Sequence, residues 1–257
     1  MMVTEMNGKY NDALTPEQNL LCEHLRSMKM SKMAETLESQ YMNPNSDLRP
    51  FDERVTEVIE SEWQFRYNKK LNRFLKKAHL KYPMADFDKT LYDPTRMLDT
   101  TTIERLQTLS WIDEKRNLLI SGSSGAGKTY LGNAFCVAAC RQFHTVYYIR
   151  ANRLIQDLER ARLQENYIDY LDQLTSYDLL VIDDFGLMTL DLDKCRDLFE
   201  VIEGRDSFRS TMVISQIPFN DWYDLFSEKT YADACIRRLQ NKAYRLEMNG
   251  RDMSQPT

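Results

Sequence analysis

Residues Gly122 to Thr129 read GSSGAGKT and meet every fixed position of the pattern G-x-x-x-x-G-K-[ST]. That pattern is suited to holding phosphate. Glycines let the backbone turn tightly, so that several N–H groups converge on one anion. A helix beginning at the lysine adds its positive N-terminal end. Gly122, Ser123, Ser124, Gly125, Ala126, Gly127, Lys128, Thr129 and Tyr130 are the candidate nucleotide contacts. Lys128 is placed to reach the outer phosphates, and Thr129 to offer a hydroxyl to Mg2+. The flanks agree. Leu118-Leu119-Ile120 suits a buried strand, and a helix-compatible segment follows Thr129.

A second stretch, Asp178 to Gly186 (DLLVIDDFG), completes such a site. Its apolar run predicts a strand that delivers Asp183 and Asp184 at its C-terminal end. Asp183 would hold Mg2+, directly or through water, and Asp184 would orient or deprotonate an attacking water. A buried strand and turn explain the apolar run but not the two adjacent carboxylates. Gln216 follows the strand STMVIS, where a polar side chain either touches the γ-phosphate or caps the strand end. Arg237 and Arg238 lie on a late helix. Their planar donor forks suit transferred phosphate, and surface charge explains either one equally well.

Five strands are expected to carry these groups, at Leu118–Ile120, Val146–Ile149, Leu179–Ile182, Ser210–Ser215 and Ala243–Met248. Helices alternate with them. The fold class is therefore α/β, a P-loop NTPase core on a five-stranded parallel sheet, with nucleotide at the strand C-terminal ends. Asn152 is expected to cap the helix after the second strand. Further helices are expected over 165–174, 193–204 and 230–240.

Ahead of this core, a small all-α domain is expected over residues 1–82. Thr15-Pro16 opens its first helix, as N-cap and first helical residue. A second helix covers 32–40 and a long one 51–79, with Val55, Val58, Ile59, Glu62 and Trp63 at packing spacing. From Gln64 to Tyr82 the stretch that includes its second half holds seven basic residues and no acidic one. Arg66, Lys69, Lys70, Arg73, Lys76 and Lys77 form its basic face, opposite Tyr67, Leu71, Phe74 and Leu75. Phosphate-backbone contact, an acidic partner protein and a solvated face all suit it. Arg160 and Arg162 are further DNA candidates. Residues 83–110 read as a connector and the start of the nucleotide domain, and 111–257 as the nucleotide domain itself, without a full lid.

Composition bounds the rest. The chain has 257 residues and a net charge of −5, so any nucleic-acid contact must be local. Its five cysteines are scattered, and no signal peptide precedes them, so reduced thiols are expected. Cys136 and Cys140 read as helix packing rather than metal ligands. No apolar run approaches a membrane span, and a cytoplasmic setting is expected.

Taken in order, these segments resemble the IstB-like transposition helper ATPases, relatives of DnaC-type helicase loaders within the AAA+ class. The resemblance rests on LRSMKMSKMAETLESQ, ADFD at Ala85–Asp88, GSSGAGKTYLGNA, DLLVIDDFG, STMVISQIPFNDW and ADACIRRL. It covers roughly residues 15–250. It implies an ATP- and Mg2+-dependent homo-oligomer that assembles on duplex DNA and recruits a transposase. It also implies that ATP lies between subunits and that the chain ends without a full lid domain. By position, Gln216 stands where the family usually has a sensor Asn. Arg238 stands at its arginine finger, with Arg237 as the alternative. Serine and alanine replace the usual proline and threonine in the loop, and Asp184 stands where many relatives carry Glu. The family's closing Gly-Glu-Ser-Tyr-Arg appears as Gly250-Arg251-Asp252-Met253-Ser254. A helicase loader and an ATP-binding scaffold with little hydrolysis are the alternative readings.

Overall fold

The structure, a computed structural model, describes residues 14–90 and 99–248. The closing segment from Gly250 lies outside them. The chain divides into a unit ending at Asn72 and another beginning at Arg73. The division falls inside a helix, ten residues before the boundary expected from the sequence.

The first unit contains α1 (Pro16–Ser27), α2 (Ser31–Met42) and most of α3 (Phe51–Lys77). Thr15 caps α1 as expected, and Gln18 completes a reciprocal capping box. Cys22, Leu25 and Ala34 form the contact between α1 and α2. The start of α2 has no cap from its own N-cap residue, Met30. Instead the buried Glu62 of α3 accepts from the N–H groups of Lys32 (2.9 Å) and Met33 (3.3 Å). A carboxylate there satisfies orphan donors and complements the helix dipole. Val58 packs as expected. Val55, Ile59 and Trp63, expected in the same packing stripe, are 36%, 53% and 61% exposed. Alpha3 therefore buries a narrower face than its hydrophobic spacing implies.

The second unit carries α4 (Thr100–Gln107) and α5 (Ser110–Asp113) ahead of β1 (Leu118–Gly122). Leu109 adopts φ +63° between the two helices, which ends α4. The chain continues as α6 (Lys128–Arg141), β2 (Val146–Arg150), α7 (Ala151–Leu163) and α8 (Tyr167–Ser176). Then come β3 (Leu179–Phe185), α9 (Leu192–Glu203) and β4 (Ser210–Ser215). A 3-10 turn (Phe219–Leu225), α10 (Lys229–Gln240) and β5 (Tyr244–Met248) follow. Alpha7 begins one residue before Asn152, and no side chain caps it. The strand end runs straight into the helix, which leaves no room for the expected cap.

The sheet has the order β2-β3-β4-β1-β5, and every pairing is parallel. Strands β1, β3 and β4 are buried along almost their whole length, as a sheet covered on both faces requires. This is the five-stranded parallel α/β core read from the sequence. The segment after α3 packs onto α6. The Tyr82 N–H donates to Asn133 Oδ1 (3.0 Å), and the Phe87 ring meets Phe135 edge-on. At the far end of the sheet Arg205, 1% exposed, donates to the carbonyls of Leu174, Tyr177 and Ser210 and to Thr211 Oγ1.

Candidate nucleotide site

The loop between β1 and α6 turns through Gly125 (φ +75°) and Gly127 (φ +84°), a conformation open to glycine at little cost. Lys128 then opens a 14-residue helix. Its ammonium donates to the carbonyls of Gly122 (2.7 Å) and Ser123 (2.6 Å), and only 6% of the residue is exposed. Burial pulls this ammonium below its usual pKa, against the opposing pull of Asp183 and Asp184.

Across the loop stands the end of β3. Its pairing with β4 slips between Ile182 and Phe185, and Asp184 adopts φ +56°. Successive side chains of a regular strand point to opposite faces. The irregularity breaks that alternation, so Asp183 and Asp184 line one cavity. Asp183 is 2% exposed. Its Oδ2 accepts from Thr129 Oγ1 (3.0 Å) and Tyr148 Oη (2.5 Å), and its Oδ1 accepts from the Asp184 N–H (2.8 Å). Asp184 Oδ2 lies 3.4 Å from Arg150 Nε at the end of β2.

The cavity measures about 460 Å³, ordinary for a small-molecule site. Ser124, Gly125, Gly127, Lys128, Thr129, Tyr130, Asp183, Asp184 and Gln216 line it, so the separate sequence motifs meet in one place. The hydroxyl of Thr129 beside the Asp183 carboxylate is a pair of hard oxygen donors. Such a pair fits Mg2+, which keeps several waters and takes one or two protein oxygens beside a phosphate.

Sequence reasoning missed several members of this site. Lys81, Tyr82, Lys89 and Thr90 line the same cavity because their segment folds back onto α6. Tyr148 and Arg150 carry no motif. Only the adjacency of β2 to β3 could have pointed to them.

Other candidates lie elsewhere. Arg238 is absent from the cavity lining among the described residues. It pairs with Glu203 and lies 5.1 Å from the centre of the Phe199 ring. Arg237 is exposed on the same helix. The exposed basic residues of α3 include Lys69, Lys70, Arg73, Lys76 and Lys77. Arg66 donates by its Nε to Glu62 (2.7 Å) and by its Nη2 to the Lys29 carbonyl (2.8 Å). The acid-free window read from the sequence begins just after this acidic partner. Arg160 pairs with Asp157 (3.2 Å), and Arg162 pairs with Asp197 while lying over the Tyr167 ring. All five cysteines are buried and free. Among the described residues no acidic, His or Cys group forms a metal-binding cluster, and no helix is long and apolar enough to cross a membrane.

A model of the IstB-like ATP binding protein family matches residues 23–256. The chain belongs to this family. It is 36% identical over 229 residues to a putative insertion sequence ATP-binding protein of Sinorhizobium fredii, covering 89% of this chain and 92% of that one. It is 37% identical over 194 residues to a putative ATP-binding protein of insertion sequence IS1162 from Pseudomonas fluorescens, covering 76% and 84%. Among solved structures, the DnaC helicase loader superposes with a TM-score of 0.56 at 19% identity. That match covers 64% of this chain and 96% of the loader. The parallel α/β core thus shares the fold of that loader, and this chain is an IstB-like ATP-binding protein.

Proposed function

We propose that this IstB-like protein is a DNA-dependent ATPase that assembles on duplex DNA and recruits or stimulates a transposase. One observation carries the reading. Lys128, Thr129, Asp183, Asp184 and Gln216 converge on one cavity in a chain whose relatives belong to insertion sequences.

In this reading the loop N–H groups and Lys128 bind the phosphates, and Thr129 and Asp183 hold Mg2+. Bound there, Mg2+ neutralises charge on the outer phosphates. Asp184 orients the attacking water or takes its proton, and Gln216 contacts the water or the γ-phosphate. Arg238 of a neighbouring subunit stabilises charge on the transferred phosphoryl group, once it leaves Glu203. The exposed cations of α3, from Lys69 to Lys77, contact the DNA backbone. Arg66, Arg160 and Arg162 would first have to exchange carboxylate partners.

The test is ATP turnover with and without long duplex DNA, with Lys128→Ala as control. Stimulation by duplex but not by single strands, lost in the variant, is expected. Stimulation by single strands alone would instead favour a helicase loader. A second reading, an ATP-binding scaffold with little hydrolysis, is favoured by the Arg150–Asp184 pair and by the short reach of Asp184. ATP binding without turnover, with DNA and transposase both present, would select it.

A further inference from the structure

Tyr148 carries a hydroxyl at a buried position of the edge strand β2, where an apolar ring would pack as well. The residue is 7% exposed and sits on β2, opposite Val181 of β3. Its neighbour Tyr147 faces the other way and stacks on Tyr177. The alternation of the strand therefore turns Tyr148, with Arg150, toward the aspartates at the end of β3. Its main chain is tied down as well, because the N–H donates to the Ala78 carbonyl (2.9 Å).

The hydroxyl donates to Asp183 Oδ2 at 2.5 Å, the same oxygen that Thr129 Oγ1 approaches at 3.0 Å. The other carboxylate oxygen accepts the Asp184 N–H at 2.8 Å. These three bonds from three chain segments leave the carboxylate no freedom to rotate. Thr129 keeps its O–H on Asp183 when it offers a lone pair to a cation, because a hydroxyl carries both. The Tyr148 hydroxyl is a side-chain donor to Asp183 that is not itself a cation ligand, and it holds the carboxylate facing the loop. Hydrogen bonds to metal-ligating carboxylates orient the ligand in this way.

We propose that Tyr148 is a positioning residue for the divalent cation, holding Asp183 in the orientation that receives Mg2+ with ATP. The proposal rests on the ATP–Mg2+ reading above and goes beyond it, because no motif assigns Tyr148 a role. Its predicted signature is a change in cation affinity without a change in metal-free nucleotide affinity.

The experiment uses the full chain and a fluorescent, non-hydrolysable ATP analogue. Binding is titrated in EDTA, then Mg2+ is titrated at fixed analogue. For Tyr148→Phe, affinity in EDTA should stay within about twofold of the parent, and the half-saturating Mg2+ concentration should rise about tenfold or more. An unchanged Mg2+ requirement would overturn the proposal, and so would an equal loss in EDTA, which marks a packing role. Asp183→Asn supplies a second check. In that background Tyr148→Phe should add less than about twofold, whereas an independent further loss would show that Tyr148 acts elsewhere. A parent chain whose analogue binding ignores Mg2+ would overturn the ATP–Mg2+ reading itself, and Tyr148 with it. A Mg2+-dependent parent with an unaffected variant would overturn only the role of Tyr148.

Discussion

Gly122 opens the phosphate-loop motif, but its neighbours show that phosphate is not what forbids a side chain there. It lies at φ +141°, paired with Met248 at the end of the β1–β5 ladder. A Cβ built on it would meet the Met248 carbonyl oxygen at 1.8 Å, where real Cβ contacts essentially never fall under 3.0 Å. The obstacle is main chain, so no rotamer change relieves it. Gly122→Ala must push β5 away by roughly 1 Å or abandon the positive φ, and strain of this kind costs about 1–3 kcal/mol. Losing the last β1–β5 bond adds about 1 kcal/mol. The entropic benefit of alanine in the unfolded chain returns only about 0.4–1 kcal/mol. The net expectation is about 2 kcal/mol of destabilisation, a ~30-fold shift in the folding equilibrium. Urea unfolding followed by tryptophan fluorescence measures it. Trp111 and Trp222 are buried in the second unit, and Trp63→Phe removes the signal of the first. A variant within about 1 kcal/mol of the parent would refute the argument. So would one that unfolds normally yet has lost ATP binding.

Further expectations follow from other contacts. Arg205→Met would strand three buried carbonyls and the Thr211 hydroxyl, costing about 3–5 kcal/mol in the same assay. A change below about 1 kcal/mol would mean that water replaces the guanidinium. Burial raises the Glu62 carboxyl, but bonds from Arg66 and from the Lys32 and Met33 N–H groups outweigh it and hold it below the usual carboxylate range. A depressed carboxylate stabilises the fold above its unfolded pKa, and that contribution is lost as pH falls through the folded value. The helical unit should therefore lose ellipticity below about pH 4, and Glu62→Gln should flatten that acid limb. A titration unchanged by the substitution would sink the assignment. Arg238→Ala should retain ATP binding while turnover falls by about 10³-fold or more. Mixing it with Lys128→Ala chains should restore part of the activity, and no restoration would place the finger elsewhere.

The loop from Gly122 to Thr129, the strand ending at Asp183 and Asp184, and the alternation of strands with helices are all legible in the amino-acid sequence. Each depends on residues close together in the chain, where glycine freedom, strand burial and helix polarity act locally. The capping of α1 by Thr15 is legible for the same reason. The exposure of Val55, Ile59 and Trp63 is not, because spacing along a helix says nothing about which neighbours cover it. Nor is the partner of Arg66, or the capping of α2 by Glu62 from a helix thirty residues away. The two aspartates are visible as a pair, but only their irregular pairing with β4 turns both into one cavity. Tyr148 and Arg150 read as ordinary strand residues until β2 is laid beside β3. Sequence thus determined which chemistry is present on each segment. Tertiary structure decided which side chains meet, because a parallel sheet sets its neighbours through long crossovers that leave no local trace in composition or spacing.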